Sequence, residues 1–155
     1  GPKAILNYEP WQFQNDPALK DRPTKRQRVA ADLGAGRNYR IEYEYSRRRN
    51  AYLRSTGGKP HFDRVTKTRL TAKNVILLIV PKERVLDRQG RIELKTVGHG
   101  KAVLLQNGRA RTITWSKPSD KARTTFAYGN GSPVKLVRGS TWITIVPKGK
   151  SYRIY

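Results

Sequence analysis

A serine and a lysine three positions apart are the residues of this chain that most resemble a nucleophile with its activating base. Ser132 and Lys135 match the Ser-x-x-Lys spacing of penicillin-binding proteins. In those enzymes a helical turn brings the amine to the hydroxyl. Here Pro133 and the strand-like sequence Val-Lys-Leu-Val favour an extended chain, and no Ser-Asp-Asn or Lys-Thr-Gly segment follows. We therefore interpret the match as chance. No Gly-x-Ser-x-Gly elbow offers another nucleophile.

The other titratable pairs are also incomplete. His61 and Asp63 would share one side of an extended segment, an arrangement that can bind a metal or orient a base. His99 is the only other histidine and there is no cysteine, so loop packing or a turn hydrogen bond is their expected role. Glu42 and Glu44 could act as paired acids, but alternating charge on a solvated strand explains them. The sequence predicts no catalytic residue, metal or cofactor, and favours a protein that is not an enzyme.

A short glycine-rich segment, Gly98 to Lys101, precedes a predicted strand. A phosphate-binding loop needs the spacing G-x-x-x-x-G-K-[ST] and a following helix, and this segment has neither. It is therefore predicted to be a turn.

Three consecutive arginines lie between two strand-like runs, and they are predicted to form the tip of a β-hairpin. A hairpin turn is polar and exposed whatever its function. The alternative is that these guanidinium groups pair with phosphate in a bidentate manner, as part of a diffuse basic patch. The candidate polyanion-binding residues are Arg47, Arg48, Arg49, Arg54, Lys59, Arg64, Lys25, Arg26 and Arg28.

Net charge is the most unusual property of the composition. The 155 residues include 33 Lys and Arg against 11 Asp and Glu, a net charge of +22. Residues 1–73 carry +10 and residues 74–155 carry +12, so the charge is spread over the folded body. Such a surface attracts nucleic acid, anionic lipid headgroups or phosphate-rich wall polymers. The absence of cysteine excludes disulfides, and no apolar run reaches the roughly 18 residues of a membrane-spanning helix.

The regular elements are predicted to be strands. Alternate apolar positions before the triple arginine indicate a half-buried strand whose tyrosines pack in the core; these positions are Tyr39, Ile41, Tyr43 and Tyr45. The run from Val75 to Val80 is apolar on both faces, as in a central strand. Asn107-Gly108 between two strand-like runs predicts a two-residue type I′ turn. The last residues, 148–155, predict a final edge strand.

About eight or nine short strands and no clear helix predict a mostly β fold. It would be an antiparallel β-sandwich or a partly open barrel, with long basic loops. Residues 1–36 are expected to be an irregular segment packing on the body through Trp11 and Phe13, with at most one helical turn near Val29 to Leu33. Residues 37–155 would form the antiparallel β domain, with room for two subdomains divided near 81–90. Trp115 and Trp142 are expected in the core.

From about Trp11 onward, the order of motifs resembles the YerB-like family, bacterial extracytoplasmic lipoproteins of unknown function. The matching segments are PWQF, IEYEYSRRRNAYLRSTGGKPHFD, LTAKNVILLIV, GHGKAVLLQNGRARTITWSKPS and TTFAYGNGSPVKLVRGSTWITIVP. The resemblance covers roughly residues 10–147 and corresponds to the C-terminal half of the family. It implies a protein facing outward from the cell near anionic wall polymers, anchored only through a lipid signal in an N-terminal region absent from this sequence. It implies no activity.

Three functions are consistent with these observations. The first is a non-enzymatic extracytoplasmic binding or scaffolding module, whose basic surface holds an anionic envelope polymer or an acidic partner protein. The second is a nucleic-acid-binding domain, which the interleaved tyrosines and arginines favour but no recognition motif supports. The third is an accessory domain of a cell-wall enzyme. The oligomeric state does not follow from the sequence.

Overall fold

The computed structural model describes residues 11–31, 40–80, 97–149 and 152–155. Within these ranges the chain forms short and medium-length strands and a single 3-10 turn at Leu19–Asp21. The strands, in chain order, are β1 (Gln12–Gln14), β2 (Arg28–Ala31), β3 (Ile41–Ser46), β4 (Ala51–Thr56), β5 (Lys59–Pro60), β6 (Thr71–Ala72), β7 (Asn74–Val80), β8 (Gly98–Gln106), β9 (Arg109–Lys117), β10 (Thr125–Ala127), β11 (Lys135–Val137), β12 (Thr141–Pro147) and β13 (Tyr152–Ile154).

A five-stranded sheet forms the middle of the molecule, in the order β10-β9-β8-β7-β12. Its central strand β7 carries the sequence NVILLIV and is buried along almost its whole length, as the continuous apolar run predicted. β7, β8, β9 and β10 pair antiparallel. β12 pairs with β7 in parallel, which requires the long crossover connection that the chain makes through β8 to β11.

A second sheet, in the order β13-β2-β3-β4-β5 with β6 also paired to β4, packs on one face of this central sheet. Period-2 alternation places alternate β7 residues on opposite faces. Val75 and Leu77 pack with Tyr43 and other residues of the second sheet in one core cluster. Ile76 packs with Trp115 in another cluster on the opposite face. The fold is therefore mostly β and sandwich-like, without a closed barrel among the described strands.

The opposite face of the central sheet is covered by β1 and β11, which pair with each other in parallel. The side-chain amide of Asn74 makes hydrogen bonds to the β11 backbone of the kind that a neighbouring strand would make. Its Nδ2 donates to Val137 O at 2.9 Å and its Oδ1 accepts from Val137 N at 2.9 Å. Gln106 Nε2 donates to both Asn74 Oδ1 and Lys135 O, each at 2.8 Å. Two buried amides thus fasten this small third layer to the central sheet.

Several predicted features are present. The triple arginine lies in the turn of the β3–β4 hairpin. Asn107 and Gly108 have φ angles of 53° and 73°, as a type I′ turn requires. β13 is the predicted final strand, and Trp115 is 2% exposed. Tyr39 and the proposed boundary at 81–90 lie outside the described residues.

The segment expected to be irregular supplies strands β1 and β2, and the helical turn proposed near Val29 is wrong. Val29 to Ala31 are buried and pair with Tyr43 to Ile41 of β3. The pairing partner is remote in sequence, so local composition did not reveal it. Trp11 packs on the body beside Phe126, at 5.9 Å between ring centroids. Phe13 does not, since it is 45% exposed.

The turn predicted at Gly98 to Lys101 is also wrong, because these residues begin strand β8. Gly100 pairs with Trp115 of β9. A Cβ atom at Gly100 would lie 2.7 Å from Trp115 Nε1. The glycine therefore makes room for the indole within a strand and does not serve as a turn residue.

Candidate anion-binding surface

Two hairpin turns meet at one end of the sandwich. Asn50, the last residue of the β3–β4 turn, is fully buried and has a positive φ of 47°. Its Nδ2 donates to Asn107 Oδ1 of the β8–β9 turn at 2.9 Å and to Asp16 Oδ1 at 2.8 Å. Its Oδ1 accepts from the Tyr45 hydroxyl at 2.8 Å. Asn50 thus joins the tips of hairpins from both large sheets.

Two arginines hold the β3–β4 turn against the segment that precedes β2. Arg22 Nη1 donates to the backbone oxygens of Arg47 and Arg48 at 3.0 and 2.9 Å. In return, Arg47 donates to Arg22 O at 3.1 Å through Nε and to Leu19 O at 2.8 Å through Nη2. We call this reciprocal set the Arg22–Arg47 lock. It makes Arg47 a structural residue as well as a charged one.

The lock leaves Arg48 and Arg49 exposed to solvent at the tip. No side-chain acceptor among the described residues holds either guanidinium group. Lys73 also holds the turn in place. Its Nζ donates to Arg49 O at 2.8 Å and forms an ion pair with Asp16 at 3.1 Å. The tip therefore presents two unpaired guanidinium groups on a fixed backbone.

The electrostatics of this end are dominated by cations. Burial raises the pKa of the Asp16 carboxyl, but hydrogen bonds from Asn50 and Lys73 outweigh burial and bring the pKa below its usual value. Burial also raises the pKa of Tyr45, and the charges of Arg22, Arg47 and Arg109 oppose that rise. We define the tip surface as the cations of the two turns and of residues 20–25, which precede β2, together with Lys73: Lys20, Arg22, Lys25, Arg47, Arg48, Arg49, Lys73 and Arg109.

Arg26 and Arg28 lie beside the tip surface. Arg26 forms an ion pair with Glu44. Arg28 is exposed, and its strand position lies directly opposite Glu44. This one carboxylate offsets part of the charge of both arginines, so they add less to the attraction of an anion than Arg48 and Arg49 do.

Arg54, Lys59 and Arg64 are not part of the tip surface. Arg54 lies within β4, four residues from Asn50 of the turn, which is about 14 Å at about 3.4 Å per residue, and Lys59 and Arg64 follow beyond the end of β4. Arg54 points between the sheets and is half-buried, with its guanidinium carbon 5.8 Å from the centroid of Trp142. Lys59 and Arg64 are exposed. The candidates proposed from the sequence thus fall into a group at or beside the tip and a second group farther along β4 and beyond it.

The Arg54 end also contains three buried polar atoms without a hydrogen-bond partner among the described residues. They are Arg54 Nε, Thr56 Oγ1 and His61 Nδ1. The backbone bond from His61 N to Arg54 O, at 3.0 Å, holds these residues together. A buried polar atom without a hydrogen-bond partner lowers stability. The three unpaired atoms therefore make this end of the molecule less stable than it would be with every polar atom paired.

The residues considered for catalysis do not come together. Asp63 Oδ1 accepts from the backbone N–H groups of Val65 and Thr66 at 2.9 and 2.8 Å, which is the expected turn hydrogen bond. Ser132 lies in a turn and donates to Asn130 Oδ1. Within the described ranges, no three His, Asp or Glu side chains are grouped as metal ligands.

Sequence reasoning missed several members of the tip surface: Lys20, Arg22, Lys73 and Arg109. They come from three separate stretches of the chain. Arg109 alone carried a local signal, because it follows the Asn107-Gly108 turn. The others are brought together by the contact between hairpin tips, which no local pattern encodes.

Comparison with known protein families identifies the family of this chain. Residues 29–143 match the family described as the C-terminal domain of a protein of unknown function, DUF3048. The chain belongs to this family.

One relative, YerB, matches the chain both in sequence and in structure. YerB of Bacillus subtilis (strain 168), which is named a candidate lipoprotein, is 28% identical over 107 residues, covering 69% of this chain and 31% of the relative. The crystal structure of YerB from Bacillus subtilis matches with a TM-score of 0.71 at 26% identity, over 94% of this chain and 47% of that one. The chain therefore spans less than half the length of YerB. No helix within the described ranges has the length and apolar character needed to cross a membrane.

Proposed function

We propose that this chain is a non-catalytic binding module that acts outside the cytoplasm and holds an anionic polymer of the cell envelope on the tip surface. The observation that carries the proposal is the Arg22–Arg47 lock. It fixes the turn backbone and leaves Arg48 and Arg49 unpaired in solvent. The extracytoplasmic location rests on the relative named a lipoprotein.

The distribution of acids supports a charged polymer as the ligand. Asp16 and Asp21 are the carboxylates next to the tip surface, and Asp16 is already paired with Lys73. The surface therefore keeps a clear excess of positive charge. Exposed cations without fixed partners suit a repeating anion, because each phosphate displaces counterions without needing a shaped pocket. The same excess of positive charge would also attract an acidic protein partner.

The test is binding to purified wall teichoic acid and to duplex DNA across a salt series. We expect teichoic acid to bind more tightly than DNA, with binding that survives about 0.15 M salt, where exposed charges are well screened. The double variant Arg48→Gln and Arg49→Gln should make the slope of log K against log salt concentration shallower by about two, because two fewer counterions are released on binding. The double variant Lys59→Gln and Arg64→Gln is the matched control, since it also removes two exposed cations, both away from the tip surface, and should change the affinity much less.

Two results would count against the proposal. Equal loss of affinity in the tip and control variants would mean that overall charge, and not the tip surface, attracts the polymer. Tighter binding to DNA than to teichoic acid would favour the nucleic-acid alternative. Neither result depends on the apolar cleft beside Trp11 and Phe126.

A further inference from the structure

An apolar cleft of about 340 Å³ opens on the side of the molecule where β1 and β11 face β10. It is separate from the tip surface. Its walls are formed by Trp11, Gln12, Thr125, Phe126, Pro133, Val134 and Leu136. Ligand pockets in proteins are typically about 300–1,000 Å³, so this cleft has room for one small ring system or short chain.

The walls of the cleft are held in place. The Trp11 indole Nε1 donates to Thr124 O at 2.9 Å. Its ring lies 5.9 Å from the Phe126 ring, at an interplanar angle of 50°. Phe126 and Leu136 belong to the buried core cluster on this face. The cleft is thus a formed feature of the fold, and the two contacting aromatic rings are part of its wall.

A cationic depression adjoins the apolar cleft. Its volume is about 520 Å³, and it is lined by Lys117, Asp120, Lys121, Ala122 and Arg123. The Lys117 amine is fixed by donation to Ala122 O at 2.6 Å. Three cations against one carboxylate give the depression a positive charge.

Arg123 joins the two spaces. Its guanidinium carbon lies 4.6 Å from the centroid of Trp11, a wall residue of the apolar cleft, and its side chain also lines the cationic depression. On the same face of the central sheet, Arg111 lies 4.1 Å from the centroid of Tyr128. A guanidinium stacked on a ring keeps its N–H edge available for an anion.

We propose that these adjoining spaces form one site for a small amphiphilic anion. Its apolar part would lie against the wall that Trp11 and Phe126 form together, and its carboxylate, sulfonate or phosphate would contact Arg123 at the edge of the cationic depression. The cleft is too small for a polymer segment together with its solvent shell. The tip surface contributes nothing to this site.

A matched pair of probes tests the proposal: naphthalene-1-sulfonate and the neutral naphthalene-1-sulfonamide. They share the same rings and differ in charge. Binding is followed by the NMR signal of the Trp11 Nε1–H group during titration. We expect the sulfonate to shift this signal and the sulfonamide to bind about tenfold more weakly, as loss of one charge-assisted contact implies.

Three variants assign the contacts. Arg123→Gln should weaken the sulfonate about tenfold and leave the sulfonamide nearly unchanged. Gln12→Trp places a bulky ring at an exposed position of the cleft wall, and it should weaken both probes without disturbing the core. Arg64→Gln, on a distant exposed residue, should change neither.

The proposal is overturned if the sulfonate fails to shift the Trp11 signal at several millimolar. It is also overturned if the two probes bind equally, or if Arg64→Gln weakens the sulfonate as much as Arg123→Gln does. Because Gln12→Trp removes no charge, its effect on the neutral probe separates the apolar cleft from general attraction of anions.

Discussion

Neighbouring arginines at the hairpin tip have different physical roles. Arg47 donates to the backbone oxygens of Arg22 and Leu19 and is half-buried. Arg48, the next residue along the chain, is exposed and holds no side-chain acceptor among the described residues. A run of identical residues therefore combines a structural arginine with arginines available to a ligand.

Replacing Arg47 by glutamine should lower the free energy of unfolding by about 1–2 kcal/mol. Two charge-assisted hydrogen bonds are lost, and their value is reduced by partial exposure. Arg48→Gln should stay within about 0.5 kcal/mol of the parent protein, as exposed substitutions usually do. Urea unfolding followed by tryptophan fluorescence measures both. If the two variants unfold at the same urea concentration, the lock does not stabilise the turn.

At the scale of elements, the attachment of β11 depends on side-chain amides. Asn74 is fully buried, and all its hydrogen-bonding groups are directed at Val137, Thr141 and Gln106. A backbone strand cannot slide along such a contact, because each amide fits a single register. The attachment of the third layer, and with it the apolar cleft, therefore depends on Asn74 of β7 together with Gln106 of β8.

Asn74→Ala should lower the free energy of unfolding by about 3 kcal/mol, since it leaves the Val137 N–H buried without its partner and removes one of the hydrogen bonds of the Gln106 amide. Faster hydrogen exchange at the Val137 amide would accompany this loss. Asn130→Ala is the matched control, because Asn130 also accepts a backbone N–H, from Ser132 at 2.9 Å, but is exposed. Equal stability of the two variants would contradict the role given to Asn74.

For the whole molecule, the net charge of +22 acts against the compact state. Three ion pairs join side chains within the described ranges: Arg26–Glu44, Arg40–Glu42 and Lys73–Asp16. Few of the cations are thus offset locally. Repulsion between like charges lowers the stability of the fold until salt screens it.

Raising NaCl from about 10 mM to about 150 mM should therefore increase the midpoint temperature of unfolding, because the Debye length falls from about 30 Å to about 8 Å. Potassium chloride should act equally, which would identify screening and not a specific ion as the cause. Calorimetry at both salt concentrations measures the change. A fall in the midpoint with added salt would mean that ion pairs outweigh repulsion.

The sequence alone determined the features that depend on neighbouring residues. Alternation identified β3, the continuous apolar run identified β7, and Asn107-Gly108 identified the turn between β8 and β9. These patterns are local because strand faces repeat every two residues and a turn depends on its own backbone angles. The mostly β fold, and the hairpin tip formed by the arginines, followed from them.

Only the tertiary structure decided which cations lie together on the surface and which make contacts inside the fold. Lys73 and Arg109 join the tip surface because two hairpin tips meet through Asn50, a contact between residues far apart in sequence. Arg54 is drawn between the sheets by the face of β4 on which it lies. The parallel pairing of β12 with β7 and the burial of β2 likewise depend on remote partners. Local sequence fixes which face a residue occupies, whereas only long-range packing determines what that face meets.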